Sequence, residues 1–390
     1  MSIGTNRIMN NKRIRLGIFF PSPKLWMGGA NYYLRLVALL SEYSSSIEVI
    51  VFMSRDIDGD FEELLLSMKN VELAYVESTQ QKLTDVLSAV LLGKDKVVSL
   101  LSEKHNIDVF YSNARFFGWN FKTPVLSWIP DLQHIYLPKM FSMLKKLKRN
   151  IGFLAQAKFS SGVVFSSYDA KNSFLKTYPT PEDKLFVIRF AVKVAKVPEK
   201  DIEAVKEKYQ LEDKYIFLPN QYWPHKNHEV VLRAIKFLRM KGEKPFQIVS
   251  TGSTESESFK KCQTFIRDMD ITSDEYKVLG LIPGSDVLAL MAGSSFVLNP
   301  SLFEGWSSTV EEAKSLSKKM ILSDIPIHRE QEPKHGEFLF FDPRNIESLA
   351  TLICSTIKTK VISTTQPELD LQKRFFDELE YAIKFVAIKK

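Results

Sequence analysis

Short apolar runs rich in β-branched and aromatic residues alternate along the chain with longer stretches whose apolar positions recur at helical spacing. Gly, Pro, Asn and Ser mark the turns between them. In the first half the strand-like runs fall at 14–20, 47–53, 71–76, 107–112, 125–129, 162–166 and 185–190. The second half restarts the pattern at 215–219, 246–251, 276–281, 296–300, 320–323 and 338–341. Strand and helix patterns that alternate in this way predict parallel sheets covered by helices on both faces. The expected fold class is α/β, with two doubly wound Rossmann-like domains facing a central cleft.

Between the two series, residues 191–200 show no amphipathic period ahead of a helical pattern at 201–209, so the expected domains are 1–195 and 196–365. A last amphipathic stretch within 366–390 reads as a closing helix. The length of 390 residues suits two domains rather than one core. A composition of 45% hydrophobic and 25% charged residues excludes a disordered or collagen-like chain. No long uncharged apolar run is present, and residues 1–15 are polar and basic, so neither a membrane-spanning helix nor a signal peptide is expected. Two distant cysteines, Cys262 and Cys354, give no disulfide framework and no thiolate metal site. The cytoplasm is the expected compartment.

Charge changes the picture once it is divided. Residues 1–190 hold 24 Lys and Arg against 17 Asp and Glu, whereas residues 191–390 hold 29 of each. A basic first half suits nucleic acid, anionic lipid or a phosphorylated substrate, each of which brings negative charge to it.

Ligands of doubly wound sheets bind beyond the carboxyl ends of the strands, which directs attention to the loops that follow them. After the first strand, Gly28 and Gly29 let backbone approach an anion ahead of a helix expected to begin near Asn31. A plain flexible turn is an equally good reading of that pair taken alone. There is no Gly-x-Gly-x-x-Gly and no Walker lysine, which disfavours a nicotinamide enzyme or a nucleoside triphosphatase. After the run at 125–129, Asp131, Gln133 and His134 crowd a sheet end where proton acceptors would serve a reaction, with a helix cap as the bland reading of Asp131.

In the second half, Lys226 stands near a helix start in the segment 220–228, a place for a cation that meets a diphosphate. His225 and His228 have a metal-like spacing but no third ligand in a recognisable pattern. The strongest signal is the segment 299–316. Glu304 lies in a turn after a strand, Ser307 and Ser308 open the next helix, and Glu312 lies eight residues beyond Glu304 within that helix. Two carboxylates so placed can address different parts of one sugar-containing ligand. Glu311 reads as part of a solvated helix face.

Two further stretches compete with simpler readings. Asp56, Asp58 and Asp60 surround a glycine misplaced for a calcium loop, so acid at a helix start is preferred. Residues 137–149 place Lys139, Lys145, Lys146, Lys148 and Arg149 among apolar side chains, as in a basic amphipathic helix. Such a helix is suited to an anionic membrane surface or, equally, to solvent.

Taken together, the Gly28-Gly29 loop, the Pro-Asp-Leu-Gln-His segment at 130–134, the Gln-Tyr-Trp-Pro-His-Lys-Asn-His segment at 221–228 and the Glu304/Glu312 element resemble glycosyltransferase family 4. These are the retaining GT-B enzymes, also called glycosyltransferases group 1. The resemblance implies that Glu312 holds ribose hydroxyls and that Glu304 faces the donor sugar. It implies that Ser307, Ser308 and Lys226 neutralise the diphosphate, and that Gly28 and Gly29 approach the phosphates from the acceptor domain. It further implies a nucleotide-sugar donor, with mannose chemistry frequent in the family, a saccharide or lipid-linked acceptor of a surface polysaccharide such as O-antigen that attacks from the face the diphosphate leaves, no nucleic-acid partner, and a closing helix within 366–390 that packs back toward the first domain. Two departures stand out. His134 lies three residues beyond Asp131 where many members carry adjacent His-Asp, and Gln221 stands where many carry an Arg, with Arg189 and Arg329 as candidate substitutes.

The Asp-x-Asp spacings within 56–60 are assigned to a helix start, so no cofactor and metal-independent transfer are expected, with the diphosphate stabilised by donors. A sugar-nucleotide epimerase or phosphorylase, and a sugar- or nucleotide-binding protein without catalysis, are the alternatives. Peripheral attachment at the inner face of the plasma membrane through residues 139–149 is the remaining expectation.

Overall fold

Strands buried on both faces need apolar residues at successive positions, and segments such as GVVF, YIFL, FVLN and MILS are buried along their whole length. The computed structural model describes residues 13–55, 59–113, 115–243, 246–333, 338–358 and 371–388. They divide into two units. One holds the chain up to Phe190 together with the final helix, and the other begins at Ala191.

The first unit contains β1 (Ile14–Phe19), β2 (Ile47–Ser54), β3 (Val71–Val76), β4 (Val109–Asn113), β5 (Val125–Ile129), β6 (Gly162–Phe165) and β7 (Leu185–Val187). Its helices are α1 (Met27–Tyr43), α2 (Gly59–Leu66), α3 (Leu83–Leu91), α4 (Lys96–Lys104), α5 (Gln133–Tyr136), α6 (Met143–Phe159) and α7 (Tyr168–Thr177). The strands form one parallel sheet in the order β3-β2-β1-β4-β5-β6-β7. The order reverses between β1 and β4, so the loops leaving those strands part to opposite sides and open a crevice.

The second unit contains β8 (Tyr215–Leu218), β9 (Gln247–Ser250), β10 (Tyr276–Val278), β11 (Phe296–Asn299), β12 (Met320–Ser323) and β13 (Phe338–Phe341). Its helices are α8 (Glu199–Lys208), α9 (His228–Met240), α10 (Glu257–Asp268), α11 (Gly284–Gly293), α12 (Ser308–Ser315), α13 (Pro326–Glu330) and α14 (Ile346–Lys358). The sheet is again parallel, in the order β10-β9-β8-β11-β12-β13, and reverses between β8 and β11. Apolar clusters fill both faces of this sheet. Val231, Leu232 and Ile235 of α9 lie on one side, and Leu290, Met291, Val310 and Ala313 of α11 and α12 on the other.

The final helix, α15 (Leu371–Ile388), belongs to the first unit. Its Phe376 ring lies 5.6 Å from that of Tyr43 on α1. Glu378 accepts both from the backbone N–H of Arg189 and from its guanidinium, each at 3.0 Å.

Several expectations need correction. The second unit begins at Ala191, and within it the backbone N–H of Val194 donates to Ser315 Oγ of α12 at 2.8 Å. Helix α1 begins at Met27, so Gly28 and Gly29 lie in its first turn and not in a loop ahead of Asn31. The stretch 137–149 is not one helix. A tight turn at Pro138–Met140 precedes α6, whose start is capped by Ser142 Oγ accepting from the Lys145 N–H at 3.3 Å. Asp56 and Asp58 lie outside the described residues, as do the expected boundary at 365/366 and the first residues of the closing stretch, while Asp60 opens α2.

Candidate functional site

In the second unit the two loops at the sheet reversal carry Lys226 and Glu304, 78 residues apart in sequence. Lys226 Nζ donates to Glu304 Oε1 at 2.6 Å, with the two side chains only 14% and 8% exposed. The loop that follows β8 ends in a tight turn at Pro224–Lys226, and Asn227 adopts a left-handed conformation (φ 56°) to enter α9. From there its side-chain amide donates to the Pro300 and Pro343 carbonyls at 3.1 and 3.0 Å. Further up, Asn220 Nδ2 donates to Asn299 Oδ1 at 3.0 Å, and the Leu302 N–H donates to the His225 carbonyl at 2.7 Å. Loop and loop are thus tied, and the ammonium is carried to the carboxylate.

Burial, the largest single influence, pushes the Glu304 carboxyl up, but the charge and hydrogen bond of Lys226 together with nearby His328 and the Ser301 hydroxyl outweigh it, and the group ends below its ordinary value. Ser301 Oγ lies 2.7 Å from both Glu304 Oε1 and Asn299 Oδ1, and its single proton serves one of the two.

The start of α12 is held from β12's side of the sheet. Gln331, just beyond α13, accepts from the Ser307 N–H at 3.1 Å and donates to the Ser307 carbonyl at 3.0 Å and to Glu311 Oε1 at 2.8 Å. Asn299 Nδ2 donates to Ser307 Oγ at 3.1 Å, so Ser307 is a buried, engaged group, while Ser308 is exposed at the first helical position. Glu311 corrects the expectation of a solvated face. It is 1% exposed and also receives Lys314 Nζ at 3.1 Å. Glu312, the next residue, is half-buried on the same helix.

Gln221 Oε1 accepts from the Ser253 N–H at 2.9 Å. Both candidate substitutes for the missing cation already have acidic partners. Arg189 is held by Glu378, and Arg329 forms a two-pronged pair with Asp324 at 2.8 Å. His228 is a core residue. Its Nε2–H donates to the Gln221 carbonyl at 3.1 Å and its Nδ1 faces the Tyr276 hydroxyl at 2.6 Å, so both nitrogens are spoken for. His328 donates from Nδ1 to the Ser323 carbonyl at 2.9 Å.

Burial pushes His228 and His328 each down to about 4. An unfolded imidazole titrates at about 6.5, so between roughly pH 6.5 and 4 the unfolded chain binds protons that the folded one refuses. Their contribution to stability is whole above that window and is lost as pH falls through it. Glu304, with its folded value lowered, adds a further loss at more acidic pH. Urea titrations across this range are expected to show the unfolding free energy of the wild type falling as pH drops. The double variant His228→Gln/His328→Gln should give a shallower slope, and equal slopes would show that the imidazoles do not carry the effect.

In the first unit, Trp26 precedes α1, and its indole stacks near Trp128 at the end of β5, ring centroids 5.7 Å apart. Tyr32 of α1 stacks on Trp128 at 3.7 Å. Gly29 lies directly under Trp26, since a Cβ there would stand 2.2 Å from the ring, whereas at Gly28 it would make only ordinary contact with Trp26 Nε1 at 3.7 Å. Asp131 accepts from the Gln133 N–H at 3.0 Å and from Arg149 Nη1 at 3.2 Å, but the N-cap of α5 is Leu132, so the capping reading of Asp131 gives way to a local turn and an ion pair. His134 does not stand at an open sheet end. It is 3% exposed, with Nε2 3.0 Å from Asn150 Oδ1 and 3.3 Å from the Tyr178 hydroxyl, and burial pushes it down.

The residues that reasoning from sequence missed are Asn220, Asn299, Ser301 and Gln331. The first three lie within the segments 220–228 and 299–316 but receive no role there, and nothing near Gln331 marks it as the residue that closes on Ser307.

These sites sit on a chain whose residues 199–368 match the model of the family described as glycosyl transferases group 1. A curated relative, the O-antigen chain mannosyltransferase RfbU of Salmonella typhimurium, is 25% identical over 202 residues, which are 52% of this chain and 52% of that protein. The match therefore spans about half the length of that relative. Among solved structures, a glycosyltransferase from Rickettsia africae superposes with a TM-score of 0.67 at 18% identity, covering 96% of this chain and 94% of that one. Anabaena HepE in complex with UDP and glucose gives 0.67 at 17%, covering 97% of both chains. The two-sheet α/β fold is the one these GT-B glycosyltransferases share.

Proposed function

We propose that this chain is a retaining glycosyltransferase of the family 4 type that moves a sugar, with mannose the first to test, from a nucleotide-sugar donor to a saccharide or lipid-linked acceptor in surface polysaccharide synthesis. The observation that carries the reading is the buried Lys226–Glu304 pair at the reversal of the second sheet, followed by Glu312 on the helix that starts there. A sheet reversal is where doubly wound domains bind nucleotides, and the first N–H groups of α12 have no acceptor within the helix, so they suit a diphosphate.

In this reading Glu312 holds the ribose hydroxyls. Lys226, the α12 N-terminus and Ser308 meet the diphosphate, and Glu304 orients Lys226 and faces the donor sugar. The bond between anomeric carbon and phosphate oxygen breaks, its electron pair leaves with the diphosphate, and the acceptor oxygen forms the new bond. The proton from the acceptor hydroxyl goes to the departing phosphate oxygen, on the same face of the sugar. Donors fixed in a poorly solvated site lower the barrier without reorganising. Transfer without a metal or other cofactor belongs to this proposal. Asp131 and Gly28-Gly29 are assigned to the acceptor side, and His134 to support of α5 and α6 through Asn150. Incubating the protein with a panel of nucleotide sugars and saccharide acceptors tests the reading. Free nucleoside diphosphate and a glycosylated product are expected together, and release of neither with any donor overturns it.

No described helix is long and apolar enough to cross a membrane. Residues 139–149 are proposed to lie against an anionic membrane at the inner face of the plasma membrane, for Lys145 and Lys148 are exposed beside Met143 and Leu144, which are 77% and 80% exposed. Vesicles containing anionic lipid should retain the protein at low salt and release it as salt screens the charges. Retention indifferent to lipid charge would refute the assignment.

A further inference from the structure

The first unit holds a cavity of about 990 Å³ between α3 and α6, walled by Trp26, Trp119, Trp128, Phe116, Phe153 and Phe159. Much of its polar floor is used internally, while Gln156 Oε1 lies buried on the lining without a hydrogen-bond partner among the described residues. Arg115 Nη1 pairs with the buried Asp95 at 3.0 Å, and Nη2 donates to the Thr79 carbonyl at 3.1 Å. Gln81 donates to Asp95 and to the Phe116 carbonyl while accepting the Phe116 N–H, so both ends of its amide are engaged. What this floor and these walls present to an occupant is mainly ring faces and hydrocarbon. At the rim the character changes. Lys145 and Lys148 of α6 line the mouth and make no ion pair among the described residues, while the neighbouring Arg149 is shared with Asp131.

The helices beside the mouth are apolar on their outer faces as well. Leu83, Leu87 and Leu91 of α3 and Leu147, Ile151 and Leu154 of α6 are each about half exposed or more. A large apolar surface of this kind around a cavity marks a binding site rather than a solvated face.

We propose that this cavity takes the hydrocarbon chain of a phosphate-bearing lipid, with the phosphate at Lys145 and Lys148. A free sugar fits poorly, because its many hydroxyls would meet mainly ring faces, with Arg115, Asp95 and Gln81 already engaged and Gln156 Oε1 left as an acceptor. Inorganic phosphate alone would leave the rings uncovered. The charge and the hydrocarbon together select an amphiphile with one anionic head. The inference rests on the reading of the chain as a transferase to a lipid-linked acceptor, and it names where the carrier lipid sits.

Three of the five tryptophans, Trp26, Trp119 and Trp128, line the cavity, so the intrinsic emission of the full chain reports its occupation. Titration with geranyl phosphate, farnesyl phosphate, farnesol and inorganic phosphate separates chain from charge. Farnesyl phosphate is expected to change the emission saturably. Affinity should rise roughly tenfold or more from geranyl to farnesyl phosphate, as added methylenes leave water. Inorganic phosphate should leave the emission unchanged, and Lys145→Gln/Lys148→Gln should weaken farnesyl phosphate at least ~5-fold with little effect on farnesol.

Gly152 lies on the cavity wall where a Cβ would meet nothing within 4 Å, so Gly152→Phe adds a ring into open space. It should weaken farnesyl phosphate about tenfold or more by occupying room the chain needs. Val90→Asp, on the exposed side of α3, is the second variant and should do the same if Gly152→Phe does not fold. Melting temperatures without ligand identify the folded variants. Equal farnesyl phosphate affinity in wild type and either folded variant, no dependence on chain length, or the same emission change with inorganic phosphate would each overturn the proposal. The readout is binding and not transfer. Transfer to acceptors without farnesyl phosphate binding defeats this inference alone, while farnesyl phosphate binding without transfer defeats the enzymatic reading alone.

Discussion

Glu304→Gln is expected to lower the rate of sugar transfer by roughly 10²-fold or more, the scale of losing one preorganised donor or acceptor in a reacting site. The amide keeps the shape of the carboxylate but removes the charge that holds Lys226 Nζ at 2.6 Å. Lys226 then remains as a buried, uncompensated cation, which costs about 3–5 kcal/mol when one partner of a buried pair is removed. A fall in stability therefore accompanies the fall in rate, and the two must be separated. Lys226→Met/Glu304→Leu serves that purpose. With both charges replaced by apolar groups of similar volume, the fold is expected to recover much of the lost melting temperature while transfer stays as low as in the single variants. If the double variant regained activity along with stability, the pair would be structural. If Glu304→Gln transferred sugar at the wild-type rate, the site assignment would fall.

Gly29→Ala is expected to destabilise the first unit by about 2 kcal/mol, as overpacking against an immobile neighbour does. The Cβ would stand 2.2 Å from the Trp26 ring, and that ring cannot swing aside freely because it stacks near Trp128, which in turn bears Tyr32. Gly28→Ala is its control. The nearest atom to a Cβ there is Trp26 Nε1 at 3.7 Å, and the residue lies in the first turn of a helix. It should leave stability unchanged or raise it by up to about 1 kcal/mol, as replacement of a helical glycine does. Urea unfolding of both variants decides the matter. Equal effects at the two positions would mean that the indole moves away at little cost. A loss of transfer in Gly29→Ala beyond its loss of stability would add a role for the first turn of α1 in holding acceptor or donor.

The fold was almost wholly legible because parallel strands covered on both faces must be apolar at successive positions. The runs at 71–76, 125–129, 320–323 and 338–341 coincide with β3, β5, β12 and β13. Failures came where local pattern and local cause diverge. Two glycines read as a loop but form a helical turn, because the first N–H groups of a helix need no intrahelical partner and glycine is tolerated there. A basic apolar run read as one helix, yet Pro138 and the Ser142 cap divide it. Glu311 read as solvated by its charge, and its burial depends on Gln331, twenty residues further on.

By itself the chain's alternation of apolar and polar residues determined two α/β units, their thirteen expected strands and the loops on which the chemistry-bearing side chains sit, since burial imposes its period locally. Tertiary structure alone decided that Lys226 meets Glu304, that Gln331 clamps the start of α12 and that an aromatic cavity opens between α3 and α6. Each of these depends on strand order and on which helix a loop returns to. Such pairings join residues tens of positions apart, and no short-range regularity in hydrophobicity encodes them.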